Sequence, residues 1–383
     1  MPKQNAAPLK IGIVLDTSLD PPDGVQQYVL SIGPWLAAQG HDVHYIVGES
    51  HRTDVKNMHS LAKNFSVRFN GNRTTIPLPT SRRKLRAFLA QEQFDVLHVQ
   101  TPHNPFFAHR LILAADKTTP VVATFHVLPD GWLPWVGTYA LGLWLRRSLK
   151  RIDQMCSVSS AAAEFACKTF KKDSMVLPNV FDYRRFHDAL PIKADPERKT
   201  ILFLGRLVPR KGCKHLLEAV ALLDRSTLPP FHVVICGKGP LMDELRQLTA
   251  AKHLDDIVEF AGFVSEEDKP GYYASADISV FPSTGGESFG IVLLEAMAAG
   301  QAAVLAGNNP GYATVMEPQP TLLFNPHDTQ ALASQLEQYL RDDESRHDMA
   351  AWGADYTHEF DIEVVGPKLE SLYRQLYAAK NMQ

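Results

Sequence analysis

The strongest constraint on the fold of this chain is a regular alternation of short β-rich runs with longer amphipathic stretches, which occurs in two series. The first series places strands at Ile11–Leu15, Val43–Val47, Asp95–Gln100, Val121–His126, Gln154–Val158 and Met175–Pro178. The second places them at Thr200–Gly205, His232–Gly237, Val258–Gly262, Ile278–Pro282, Ala303–Ala306 and Leu322–Phe324. Helical stretches intervene, such as Val25–Gln39 with Gly40 beyond it as a C-cap. Strands alternating with helices at this spacing predict parallel βαβ units. At 383 residues the chain exceeds one core. The expectation is an α/β protein of two doubly wound Rossmann-like domains facing across a cleft, with ligands at the carboxyl ends of the strands. Their expected bounds are 1–180 and 199–358, with a linker rich in Asp, Pro and Arg at 181–198. Residues 359–383 follow as a C-terminal helix that can cross back to the first domain, given the apolar spacing from Phe360 to Tyr377.

Composition removes several classes of function. A formal net charge of −3 does not suit bulk nucleic-acid binding. Cys156, Cys167, Cys213 and Cys236 have neither C-x-x-C spacing nor a histidine cluster, so free thiols in a reducing compartment are expected. Met1–Leu9 has no apolar core of signal-peptide length, and no run reaches the roughly 18 apolar residues that span a bilayer. The expected location is cytoplasmic, with the option of lying peripherally on a membrane face. Oligomeric state leaves no mark on the sequence.

Between Gly285 and Gly300 the chain reads Gly-Gly-Glu-Ser-Phe-Gly-Ile-Val-Leu-Leu-Glu-Ala-Met-Ala-Ala-Gly. The glycines suit a loop turning sharply into a buried helix that ends on Gly300, and the helix N-terminus offers free N–H groups to an anion. Ile291 and Glu295 fall one turn apart on one face, which puts Glu295 just below the anion site and Glu287 beside it in the loop. A carboxylate flanked by Leu294, Ala296 and Met297 needs strong donors, and ribose hydroxyls would supply them. The alternative is that Glu295 faces solvent or pairs with a lysine.

Strand Thr200–Gly205 ends at Arg206, and the loop from Leu207 to Gly212 adds Arg210 and Lys211. Arg206 and Lys211 stand where a diphosphate needs its charge neutralised; a solvated basic loop is the competing reading. No Asp-rich metal signature accompanies them, so the cations take the place of Mg²⁺ and neither metal nor cofactor is expected. The run Gly237-Lys-Gly239 lacks the third glycine of the dinucleotide fingerprint, which counts against a dehydrogenase, and fits a tight strand-to-helix turn with Lys238 as a surface charge. After strand Val258–Gly262, the backbone at Phe263 and Val264 can hold a base edge.

Taken together, Gly205-Arg206, Arg210-Lys211-Gly212, Gly237-x-Gly239-Pro240, Glu287-Ser-Phe-Gly290 and Glu295-Ala-Met-Ala-Ala-Gly300 resemble the donor half of the family 4 retaining glycosyltransferases of the two-domain GT-B fold. The resemblance covers nearly the whole chain, including Val158-Ser-Ser160 and Pro178-Asn179. Within the family, the Gly285–Glu295 run and Asp23-Gly-Val-Gln-Gln look most like the phosphatidylinositol mannosyltransferase branch. It implies that Arg206 and Lys211 hold the donor diphosphate, Glu287 contacts the transferred sugar and Glu295 binds the ribose. Val264, Phe289, Gly290 and Ile291 complete the donor-binding set. In the first domain, Gly24 matches a glycine that approaches the diphosphate, and His126 matches the active-site histidine. Two departures stand out. Asp23, after Pro21 and Pro22, replaces a usual glycine, and Gln100 and Thr101 lie where an acidic residue is frequent.

A retaining transfer needs a covalent nucleophile or same-face substitution. No nucleophile is placed with a base partner, so same-face transfer is expected, with a donor phosphate oxygen taking the acceptor proton. His126 then orients the sugar; its alternative is a strand-end histidine bonded to backbone. For the acceptor, Gln26, His103 and Asn104 are the candidates. Cations and apolar groups occur together in Ser81–Arg86 with Leu85, Phe88 and Leu89, and again where Trp132, Trp135, Tyr139 and Leu143 precede Arg146, Arg147, Lys150 and Arg151. Such patterns suit an anionic membrane surface carrying a lipid acceptor, or else a core stripe beside a solvated basic face. A nucleotide sugar, with GDP-mannose first by resemblance, is thus the expected partner. The alternatives are a UDP-sugar transferase with a soluble acceptor and a nucleotide-sugar binder without turnover.

Overall fold

The computed structural model describes residues 7–20, 24–69, 72–126, 132–192 and 195–382, with only the backbone described at 66–69, 72–75 and 132–136. Asp23, with Pro21 and Pro22, lies outside the described residues, as do the side chains of Trp132 and Trp135. Two compact units result, Met1–Val180 with Ile362–Gln383, and Phe181–Asp361.

In the first unit, β1 (Lys10–Leu15), β2 (Asp42–Val47) and β3 (Met58–Ser60) lie to one side of β6 (Val96–Gln100), β7 (Val121–Phe125), β8 (Gln154–Ser157) and β9 (Ser174–Val176). The order is β3-β2-β1-β6-β7-β8-β9, parallel throughout. Strands buried on both faces read as continuous apolar runs, which is why Ile11–Leu15 and Val121–Phe125 are nearly free of polar residues. A separate antiparallel hairpin, β4 (Asn64–Phe69) with β5 (Asn72–Pro77), was not anticipated from the sequence.

The second unit repeats the plan. Strands β10 (Lys199–Leu204), β11 (Phe231–Cys236), β12 (Val258–Gly262), β13 (Ile278–Phe281), β14 (Ala303–Gly307) and β15 (Leu323–Phe324) run parallel in the order β12-β11-β10-β13-β14-β15. In each sheet the winding reverses once, beside β1 and beside β10. That reversal is where doubly wound sheets bind ligands.

Two segments join these units differently from a plain linker and tail. The segment expected as a linker contains the helix Tyr183–His187, capped by Asp182, and buries Phe181, Tyr183 and Phe186 in the second unit. The C-terminal helix Ile362–Asn381 packs on the helix Gly24–Ala38 of the first unit, where Gly366 lies so close to Trp35 that an added Cβ would come within 2.9 Å. Ile362, Val365, Leu369 and Tyr373 are buried there. At about 1.5–3 kcal/mol for each large apolar side chain, that contact rivals the net stability of a whole domain, about 5–15 kcal/mol.

At the reversal in the first sheet, Asp16 leaves β1 and is 1% exposed. Its Oδ1 accepts from the Ala108 amide at 2.8 Å, and its Oδ2 meets no partner among the described residues. Burial raises its carboxyl well above the ordinary range against the weaker pull of Ala108. The folded state therefore holds a proton that the unfolded chain releases above about pH 4. Stability is lost as pH rises from that value through the folded pKa. Asp16→Asn is expected to gain on the wild type by about 1–3 kcal/mol at pH 8, with the two converging near pH 4. Urea unfolding at both pH values checks this, and a pH-independent difference contradicts it.

Candidate functional site

The loops after β10 and β13 meet because glycines allow their backbones to touch. A Cβ on Gly212 would stand 1.9 Å from the Pro282 carbonyl oxygen, and one on Gly237 would stand 1.8 Å from that of Gly205. Both glycines also have positive φ, +71° and +147°. The Gly237–Gly239 turn thus serves close backbone approach, as its spacing suggested.

Into this junction the Gly-rich loop places Glu287. Its Oε1 accepts from Arg210 Nη1 at 2.6 Å, from Lys211 Nζ at 2.9 Å and from Ser283 Oγ at 2.8 Å. Burial pushes the carboxyl up, but Lys211 and Arg210 outweigh it and hold Glu287 below its ordinary value. It is an ionised carboxylate with fixed orientation, and its Oε2 takes no part in these three bonds. Arg210 is the member the sequence reading passed over: beside Lys211 it looked like one more surface cation. Arg206 stands exposed one residue beyond Gly205.

Gly290, at φ +125°, begins the helix Ile291–Ala298 and has no side chain to cap it. The amides of its first turn lack intrahelical partners, which makes a helix start of this kind a suitable seat for an anion. Phe289 differs from expectation, because its ring is buried against Phe360 at 5.8 Å and belongs to the core. At the end of β12, Val264 is half-buried, while Phe263 is 60% exposed with Lys238 Nζ over its ring at 5.2 Å.

In the first unit, Gly24 opens the helix Gly24–Ala38 and an added Cβ there would meet nothing within 4 Å. Gln26 is buried, its Nε2 donating to the Ser18 carbonyl at 3.0 Å. Asn104 Oδ1 accepts from the Phe106 amide and so shapes its own loop. His103 packs on Phe125 and Phe170, with Nδ1 unpartnered among the described residues, and burial lowers it to about 4. Thr101 before it holds φ +52°, a strained state for a β-branched residue. His126 Nε2 donates to Gln100 Oε1 at 2.7 Å, and Tyr28 packs edge-on to the ring with centroids 5.2 Å apart. Burial, aided by His103, lowers His126 to about 3. Gln100 Nε2 and Asn179 Oδ1 find no partner among the described residues, leaving a donor and an acceptor beside the ring.

The cationic surface is mixed in character. Arg82, Arg83, Lys84 and Arg86 are exposed on a helix capped by Ser81, with Leu85 fully buried. Leu143 and Trp144 are 62% and 64% exposed, next to exposed Arg146, Arg147 and Lys150. Arg151 instead ties down Asp153 and the Thr119 carbonyl. Among the described residues, no helix is long and apolar enough to cross a membrane.

Glu295 corrects the expectation that a ligand must supply its donors. It is 3% exposed, and Lys269 Nζ lies 2.7 Å from Oε1, with Tyr273 Oη 3.4 Å from Oε2. Burial disfavours the Lys269 ammonium, but Glu295 and Glu266 outweigh it and raise its pKa. Lys269 stands in another helix, 26 residues earlier, where no local spacing announces it. Lys269→Met would leave a buried carboxylate unpaired and is expected to cost about 3–5 kcal/mol, most of it recovered by adding Glu295→Leu. Urea unfolding of both variants checks this; a single-variant loss under about 1 kcal/mol would show that the pair is not integral.

Comparison with known proteins identifies the family. The model for glycosyl transferases group 1 matches residues 188–355, and that for glycosyltransferase family 4 matches residues 22–185. A phosphatidyl-myo-inositol mannosyltransferase from Mycolicibacterium smegmatis is 32% identical over 375 residues, covering 97% of this chain and 95% of the relative. A GDP-mannose-dependent alpha-(1-6)-phosphatidylinositol monomannoside mannosyltransferase from Mycobacterium tuberculosis is 27% identical, covering 96% and 99%. Among solved structures, sucrose-phosphate synthase from Thermosynechococcus elongatus shares the fold at TM-score 0.73 and 21% identity, over 97% of this chain and 100% of that one. The chain therefore belongs to the family 4 glycosyltransferases of the GT-B fold and resembles their phosphatidylinositol mannosyltransferase branch.

Proposed function

We propose that this protein transfers mannose from GDP-mannose, with retention, to the headgroup of an inositol lipid at an anionic membrane surface. The observation that carries the reading is the Glu287 carboxylate, fixed by Arg210, Lys211 and Ser283 at the reversal of the second sheet. Its free lone pairs would accept from sugar hydroxyls. Arg206, Lys211 and the amides after Gly290 would take the diphosphate as charge builds on the leaving nucleotide. Phe263 offers an exposed ring beside the base, and Glu295, already ordered by Lys269, retains lone pairs for a ribose hydroxyl.

On the acceptor side, Gln26, His103, Asn104 and neutral His126 would position hydroxyls. With no base near neutrality among them, the acceptor proton would pass to a donor phosphate oxygen in same-face transfer. Retaining chemistry then rests on placement and electrostatics.

Released nucleotide measured across a panel of sugar nucleotides, with phosphatidylinositol vesicles, tests the reading. GDP should appear from GDP-mannose and depend on the vesicles; turnover with UDP-sugars alone, or with a soluble polyol alone, contradicts it. Glu287→Ala is expected to lose at least about a hundredfold in turnover while GDP affinity changes only a few-fold. For the surface, co-sedimentation with anionic vesicles at low salt is expected, weakening at high salt and in the Leu143→Ser, Trp144→Ser double variant. Absence of binding at low salt sinks the membrane assignment.

A further inference from the structure

Away from the donor loops, at the edge of the first sheet, three side chains from separate elements converge. His44 is in β2, His59 in the edge strand β3, and Glu92 ends the helix Arg82–Glu92. One ligand atom from each lies within 4.8 Å of the others. His44 Nδ1 and His59 Nε2 are 2.8 Å apart, and Glu92 Oε2 is 3.9 Å from His44 Nδ1. The two imidazole planes are parallel to within 2°, with ring centroids 5.1 Å apart, and are walled by Phe94 against His44 and by Phe88 against His59.

The tautomer of His44 follows from its other nitrogen. Nε2 faces Asp42 Oδ1 at 3.1 Å, and a carboxylate oxygen only accepts, so Nε2 carries the proton. The Nδ1 lone pair is therefore directed at His59. Asp42 is in turn contacted by Asn57 Nδ2 at 3.4 Å. A carboxylate behind an imidazole whose far nitrogen points into a cluster is the arrangement that orients metal-ligating histidines.

We propose that His44 Nδ1, His59 Nε2 and Glu92 bind a divalent cation of the zinc class, with Asp42 as the positioning residue. Two imidazoles and one carboxylate form a borderline nitrogen and oxygen set that suits zinc, with water in the fourth position. At metal–ligand lengths of about 2.0–2.2 Å, tetrahedral ligands stand roughly 3.3–3.6 Å apart. The observed 2.8 and 3.9 Å bracket that spacing, so shifts of under about 1 Å would seat the ion. His59 would move its proton to Nδ1, and no net proton need leave the imidazoles. Lys10 is the competitor, since its Nζ holds Glu92 Oε2 at 2.8 Å. The ion would staple a three-residue edge strand to its neighbour and to the following helix. This assignment is independent of the donor chemistry.

The test uses the full-length protein stripped with a chelator and desalted, in a Cys167→Ser background because that thiol is exposed and can bind zinc itself. Calorimetry is expected to show one equivalent of Zn²⁺ with a raised melting temperature, and Co²⁺ is expected to give the visible absorption of a tetrahedral site. His59→Gln should weaken Zn²⁺ by at least about tenfold and abolish the Co²⁺ band, with its circular dichroism unchanged. Asp42→Asn should weaken it by about 10–100-fold, because His44 loses the carboxylate that fixes its ring. Lys10→Met should tighten it, because Glu92 is released. Equal zinc binding by the parent and His59→Gln, or binding that Lys10→Met leaves unaltered, overturns the assignment.

Discussion

Glu287 is the carboxylate around which the loops of the second unit's candidate site are tied together. One carboxylate oxygen takes bonds from two cations of the loop after β10 and from a hydroxyl of its own loop after β13. The carboxylate thereby bridges the two strand ends where the winding of the sheet reverses. The bridge is feasible because Gly212 lets the loop after β10 pass the Pro282 carbonyl at a distance that no Cβ would permit. A carboxylate this buried would rise in pKa if left alone. Here the neighbouring cations prevail, so the loop presents a negative group and two positive ones within a few ångströms. That is the charge pattern a sugar joined to a diphosphate requires.

The first unit follows the same topology toward a different end. Its sheet also reverses beside its first strand, but there the buried groups are held uncharged. Asp16 tends to keep its proton, and His98, His103 and His126 are all pushed well below ordinary histidine values by burial. His98 is locked between Thr124 and Tyr373 of the C-terminal helix, at 2.7 and 2.6 Å, which joins that helix chemically as well as by packing. A neutral polar interior suits the orientation of hydroxyl groups.

The parallel strands were legible because full burial imposes unbroken apolar runs, and Gly300 was legible as the stop of the helix Ile291–Ala298, where it holds φ +69°. The short edge strand Met58–Ser60 and the hairpin Asn64–Phe69 with Asn72–Pro77 were not, since neither carries an apolar alternation long enough to read. Within the site, Glu287 and Lys211 stood out from loop chemistry alone. Arg210, Ser283 and Lys269 did not, because their roles arise from contacts of 26 to 77 residues' separation or from a hydroxyl in a common turn. The ring of Phe289 turns into the core against Phe360, so any contact it makes with a donor would come from its backbone.

The central claim is that the Glu287 junction seats the sugar and that the adjoining cations seat the diphosphate. A crystal structure of the protein with GDP-mannose bound tests it most directly. The account predicts mannose hydroxyls within hydrogen-bond distance of Glu287 and phosphate oxygens against Lys211, Arg206 and the amides after Gly290. A diphosphate bound elsewhere, with Glu287 still closed on Arg210 and out of reach of the sugar, would contradict it.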